Sequence, residues 1–396
     1  MNLYKAASDY VGVGVNPNVA CYLVSLLDNK EDTVDMDEVP TESDTSLEHC
    51  AVAVCLCYSS SFSVVKCSTY DRTTPYLAYI LRYNSGIRAL RLSSANPELE
   101  EIGKALRANP NSLLQRLDLS GSDLNNINTV MWLTSGLHHL SQGLQELHLS
   151  SCSLRSQAVA FIFKKGLCVN RAMLASLERL SMSDNQFAES GSKAAGTFLK
   201  DLVQLPASKL RELRFLRCNL YMKSIIAILG SVKTMSYLDI SGNPMIEEDV
   251  LTFLQCQARG PAALATLGLS DCNLTVQMLS SVFSHYLKSS SRLQEGSQIS
   301  LKVAHNTFSV RSLPPPAVAG AYATLSLLDI SGCRLTTAQF LHVFRRLSVG
   351  DVPIRTLLLD NVLKAEKRME ERLAADELSK FILVSKSIRA VSLAGS

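Results

Sequence analysis

The stretch LQELHLSSCSL, Leu144 to Leu154, decides how this chain folds. Its apolar residues fall at Leu144, Leu147, Leu149 and Leu154, with Cys152 before the last. The ELHL centre alternates polar and apolar side chains, the period of a β-strand with one buried face. The SSCS that follows is too short and polar to continue that strand, so the chain turns there. The same arrangement recurs as LQRLDLSGSDL from Leu114, LERLSMSDNQF from Leu177, LRELRFLRCNL from Leu210 and MSYLDISGNPM from Met235. It returns as LATLGLSDCNL from Leu264 and LSLLDISGCRL from Leu325, with weaker copies from Phe62, Ile87, Gln298, Ile354 and Ile388. About twelve copies therefore follow one another at intervals of 25 to 34 residues.

These copies match the leucine-rich-repeat template L-x-x-L-x-L-x-x-N/C-x-L. The fold expected is an α/β leucine-rich-repeat solenoid, a horseshoe of the ribonuclease-inhibitor class. A parallel sheet would line its concave face and helices its convex face. Copies of this length have room for a strand, a turn and a helix of two to four turns. Helical stripes do lie between strands: Ala158, Phe161, Ile162 and Leu167; Ile225, Ile226 and Leu229; Phe340, Leu341, Phe344 and Leu347. One copy cannot bury its apolar face alone, so stability accumulates along the array.

The turn position reads Cys152, Asn185, Cys218, Asn243, Cys272, Asn306, Cys333, alternating without a break between Ser122 and Val362. Four of the eleven cysteines are thereby ladder residues. The remaining seven show no CxxC pair, and the Cys50, Cys55, Cys57 and Cys67 group sits on apolar sequence. Reduced, buried thiols in a reducing compartment are the expectation, with no metal or other cofactor.

The chain divides, on this reading, into an N-terminal cap over 1–60 and the array over 61–396. The acidic stretch Asp28–Asp44 reads as a solvated loop, although Val34–Met36 has the makings of a degenerate strand. Ser309–Pro316 reads as an extended loop, and Lys364–Ile382 as an amphipathic helix burying Met369, Leu373, Phe381 and Ile382. The final strand, IRAVSLAGS, has no covering segment after it. A longer parent protein, or a homodimer through that end, is the corresponding expectation.

A formal charge of +3 over 396 residues gives no general attraction to nucleic acid. The opening MNLYKAASDYVGVG lacks the pattern of a signal peptide, and no run is apolar enough for membrane insertion. The histidines, His49, His138, His139, His148, His285, His305 and His342, fall in no ligand spacing, and neither a GxSxG elbow nor a phosphate loop is present. The chain reads as a binding protein and not an enzyme. The enzyme-like rival is GTPase activation, whose chemistry needs an arginine in an early loop; Arg72 is the candidate.

The partner surface expected is the concave face, to which the third and fifth positions of each copy point. The residues singled out are Arg91, Arg116, Asp118, Glu146, His148, Arg179, Glu212, Arg214, Tyr237 and Asp239. Charges of both signs and an aromatic ring on a rigid frame favour recognition of a protein by complementarity.

HLSQGLQELHLSSCSL (His139–Leu154), NRAMLASLERLSMSDN (Asn170–Asn185), HYLKSSSRLQEGSQISLKVAHNTF (His285–Phe308) and the layout around Cys50–Cys67 resemble the repeat region of the CARMIL family, regulators of actin capping protein. The likeness covers about residues 50–330. It implies a cytoplasmic scaffold at the cytoskeleton or cell cortex with actin-regulatory protein partners. Neither that family's membrane-binding domain nor its basic capping-protein-binding segment has a counterpart here, so only the scaffold role carries over.

Overall fold

The computed structural model describes residues 2–41, 46–68, 74–84, 86–92, 99–205, 208–232, 234–258, 264–288, 299–313, 325–349, 354–364, 368–385 and 388–394. Arg72, Gln298 and the prolines at 314–316 lie outside them. The chain forms two compact units, Met1–Leu210 and Arg211–Ser396.

In the first unit the strands are β1 (Thr33–Asp35), β2 (Val64–Cys67), β3 (Ala89–Leu92), β4 (Arg116–Asp118), β5 (Glu146–His148) and β6 (Arg179–Ser181). All pair in parallel and in chain order. Helices α1 (Asn2–Val11) and α2 (Pro17–Asp28) precede them. Between strands run α3 (Ser46–Tyr58), α4 (Thr74–Tyr83), α5 (Leu99–Ala108), α6 (Ile127–His139), α7 (Ser156–Phe161) and α8 (Arg171–Ser176); α9 (Ala188–Gln204) follows β6. A π-helical turn, Ile162–Leu167, continues α7.

The second unit holds β7 (Glu212–Arg214), β8 (Tyr237–Asp239), β9 (Thr266–Gly268), β10 (Ile299–Lys302), β11 (Leu325–Asp329), β12 (Thr356–Leu358) and β13 (Ala390–Ser392), again parallel and in order. Its helices are α10 (Ile226–Leu229), α11 (Glu247–Ala258), α12 (Val276–Lys288), α13 (Thr337–Val349) and α14 (Arg368–Val384). Each unit is thus an α/β leucine-rich-repeat solenoid, built of strand–turn–helix rungs.

Stacked leucines make the core. Leu90, Leu117, Leu147 and Leu180 are register partners in the first unit, and Leu213, Leu238, Leu267, Leu301, Leu328 and Leu357 in the second, all buried. Phenylalanines fill the wider space beneath the helices: Phe163 meets Phe187 and Phe198 with ring centroids 6.1 and 5.3 Å apart.

The alternating turn ladder has a hydrogen-bonding cause. Asn243 Oδ1 accepts from the backbone N–H of Cys218 (3.0 Å) and Leu220 (3.1 Å) in the preceding rung. Its Nδ2 donates to the carbonyls of Phe215, Ile240 and Ser241. Asn185 serves Cys152 and Leu154 in the same way, and Asn306 serves Cys272 and Leu274. The cysteine rungs reach back with a single weak donor, Cys272 Sγ to Ile240 O and Cys333 Sγ to Val303 O. Backbone geometry alternates too. Cysteine rungs place a left-handed residue on both sides of the ladder position, as at Ser151 and Ser153 or Asp271 and Asn273. Asn185, Asn243 and Asn306 have such a residue only before them, at Asp184, Gly242 and His305. Asparagine makes five bonds, three of them to the preceding rung and two within its own turn, while cysteine occupies the alternate rungs.

The degenerate strand read at Val34–Met36 within the acidic stretch is present, one residue earlier, as the paired strand Thr33–Asp35, with Val34, Met36 and Val39 buried. Two sequence expectations need correction. In α14 the buried side chains are Ala374, Leu378 and Phe381, while Met369 is 72% exposed and Leu373 and Ile382 are also exposed. Packing against α13 chose that stripe, through Phe344 and Phe381 at 5.4 Å. The segment from Ser309 is not wholly extended, because Val310–Ser312 forms a 3-10 turn closed by a Ser309–Ser312 capping box.

Candidate functional site

Strand alternation turns two residues of every rung away from the core, and parallel pairing lines them up in two rows. Neighbouring strands lie about 4.8 Å apart, so charged side chains in one row touch those of the next rung. In the first unit one row runs Val64, Ala89, Arg116, Glu146, Arg179, and the other Lys66, Arg91, Asp118, His148, Ser181.

Glu146 is the hub of this face. It is 9% exposed and receives Arg116 Nε at 2.8 Å, the Arg179 guanidinium, and His148 Nε2 at 3.5 Å. Arg91 Nε lies 3.6 Å from Asp118 Oδ2, and the other Asp118 oxygen accepts from Ser120 N at 3.0 Å. All six first-unit residues singled out in the sequence are therefore together, but their exposure differs by sign. The side chains of Arg91, Arg116 and Arg179 are 62%, 57% and 42% exposed, against 28% for Asp118 and 12% for Glu146. The arginine side chains are thus more exposed than the carboxylates they pair with, so an approaching molecule meets more positive than negative side-chain surface.

In the second unit Glu212, Arg214, Tyr237 and Asp239 form their own group. Arg214 Nε pairs with Glu212 Oε1 at 2.6 Å, and its guanidinium lies 4.8 Å from the Tyr237 ring centre. Lys302 Nζ approaches the same ring at 5.5 Å and the tyrosine hydroxyl at 3.4 Å. Asp239 is nearly buried; its Oδ1 accepts from Ser241 N at 3.1 Å, as Asp329 accepts from Ser331 N at 3.0 Å. Asp118, Asp239 and Asp329 thus clamp the turn after their strands as well as facing outward. Gly268 makes room for this: a Cβ there would collide with the Asp239 carboxylate. The glycine carries no charge or ring, so pattern reading passed over it.

Three thiols of the cysteine ladder are held protonated by burial. Burial pushes the Cys152 and Cys272 thiols up to about 12, and Cys333 to about 11. Among the described residues no group of three or more His, Cys, Asp or Glu side chains is placed to hold a metal ion. Nor is any helix among them long and apolar enough to cross a membrane. His138 and His139 close α6, with His139 Nδ1 2.7 Å from Ser135 O.

No protein-family model matches the chain. Curated relatives include the ribonuclease inhibitor of Sus scrofa, 29% identical over 186 residues, which are 44% of this chain and 37% of that protein. Another is NACHT, LRR and PYD domains-containing protein 12 of Mus musculus, 31% identical over 150 residues, 37% of this chain and 13% of the relative. The chain therefore matches well under two thirds of the length of either. The solved complex of yeast Rad7 and Elc1 aligns with a TM-score of 0.44 at 13% identity, over 92% of this chain and 89% of that one. With the strand–turn–helix rungs described above, the likeness to these relatives supports a leucine-rich-repeat chain whose repeats are similar to those of ribonuclease inhibitors.

Proposed function

We propose that this chain is a non-enzymatic scaffold whose outward strand rows bind an acidic surface of a partner protein. One observation carries the reading: the arginines of the first-unit face are exposed while the carboxylates that pair with them are sunk. Such a face attracts carboxylates, steers their approach and fixes their register. Arg214 and Lys302 against Tyr237 supply a similar cationic–aromatic surface in the second unit. Affinity purification from cells with Arg116→Glu, Arg179→Glu and Arg214→Glu tests it. Partners retained by the native chain are lost from the variants; if every partner stays bound, the footprint lies elsewhere.

The finer setting belongs to the same proposal. Resemblance to CARMIL repeats supports a cytoplasmic, cortical role with actin-regulatory partners, which co-sedimentation with capping protein and actin filaments checks. The ribonuclease-inhibitor relatives support a second reading, inhibition of an enzyme by the same face. Titration of the chain into a ribonuclease assay decides it, since an inhibitor abolishes turnover at stoichiometric ratio.

A further inference from the structure

On the helical side of the first unit, away from the strand rows, α6 carries exposed apolar side chains on its outer face beside Asn128 and Ser135. Ile127 and Met131 are 54% and 50% exposed, one turn apart, and Trp132, the sole tryptophan of the chain, is half-buried beside them. A groove of about 610 Å³ runs between this face and the next rung. Met131, Trp132, Phe161 and Val169 give it an apolar floor; Arg107, Lys165 and His138 stand at its edges. Among the described residues no carboxylate lines it. Glu100 and Glu101 are tied to Lys104 at 2.6 and 2.8 Å and line a different hollow. The Arg107 guanidinium lies 5.5 Å from the Trp132 ring centre.

The walls are closely packed. A Cβ at Gly103 would collide with the backbone of Trp132 and Leu133, so α5 and α6 pack backbone to backbone. The far wall is the π-helical turn Ile162–Leu167, an irregularity that recurs at functional sites.

We propose that this groove docks one amphipathic helical segment of a partner, with apolar side chains seated on Trp132 and Met131 and carboxylates facing Arg107 and Lys165. Arg107 and Lys165 at the edge of an apolar floor, beside the neutral polar groups of Asn128, Thr134 and Ser135, select that chemistry: a basic helix is repelled, and a wholly polar one leaves the floor wet. A surface tryptophan in such a setting is the residue type on which binding energy concentrates.

Trp132 reports its own occupancy, since it is the chain's one tryptophan. The full chain is titrated, with emission as readout, against a helical peptide of about 18 residues carrying leucine at i, i+3, i+4 and i+7 and glutamate elsewhere. Parallel arms use a lysine-for-glutamate peptide, a serine-for-leucine peptide and phosphatidylserine vesicles. The acidic amphipathic peptide saturates the emission change, and the other three do not. Arg107→Glu with Lys165→Glu, both exposed positions, weakens it at least about tenfold. Arg116→Glu on the strand face leaves it unchanged, which separates this site from the proposed function. Equal binding of the lysine or serine peptide, a response to vesicles instead of peptide, or indifference to the double reversal overturns the assignment.

Discussion

Asn243 carries five hydrogen bonds inside the core. Its replacement by alanine strands two amides and up to three carbonyls away from water. A loss of about 3–5 kcal/mol in urea unfolding is expected. Cys272→Ala removes a small buried side chain and weak S–H bonds, so about 1–2 kcal/mol is expected there. Equal costs would show that the two rung types are interchangeable. The thiols also set an alkaline limit. With Cys152 and Cys272 held as thiols to about 12, against 9.0 ordinarily, the unfolded chain loses protons first as pH rises. Stability they contribute is full below pH 9 and declines through the window from 9 to 12. Equilibrium unfolding against pH checks this: the double variant Cys152→Ala, Cys272→Ala shows a shallower alkaline decline. Gly268→Ala, whose Cβ would press on Asp239, costs about 1–3 kcal/mol and disturbs the Tyr237 group, readable as a shift in tyrosine absorbance.

Between elements a second asparagine ladder ties helix ends together. Asn84 donates to the carbonyls of Leu56 and Cys57 at the end of α3, and Asn109 to those of Leu81 and Asn84 at the end of α4. Asn170 donates to Leu137 and Leu140 at the end of α6 while its Oδ1 caps α8 through Ala172 N and Met173 N. Helix ends leave carbonyls and amides unpaired, and these side chains supply both kinds of partner at once. Asn170→Ala is expected to cost about 2–4 kcal/mol in thermal or urea unfolding. A loss no larger than that of an exposed asparagine such as Asn128 would leave the ladder without structural weight. The spacing of Asn84, Asn109 and Asn170 does not repeat with the leucines, which is why the repeat template misses it.

At the scale of the whole molecule, the proposed binding by the first unit's strand face is electrostatic at its rim, where arginine side chains are more exposed than the carboxylates they pair with. Affinity for an acidic partner falls as salt rises, because exposed charges are screened within about 8 Å at physiological ionic strength. Binding measured across a salt series, with Arg116→Glu and Arg179→Glu in one variant, checks this: the variant loses both affinity and salt dependence. Folding stability changes little in that variant, since exposed ion pairs contribute about 0–1 kcal/mol each.

Leucine spacing by itself determined the rungs, their parallel order within each unit and the residues that face outward. Those properties follow from a side-chain period of two and from apolar faces that only stacking can bury. Arg116, Glu146 and Arg179 were legible as outward residues, but not as one cluster with a buried hub. That depends on which rung lies beside which, at strand spacing. The buried stripe of α14, the strand within the acidic stretch and the groove at Trp132 were likewise settled only by packing. A helix periodic on more than one side, or a short strand among acidic residues, has several local solutions, and contacts distant in sequence select one.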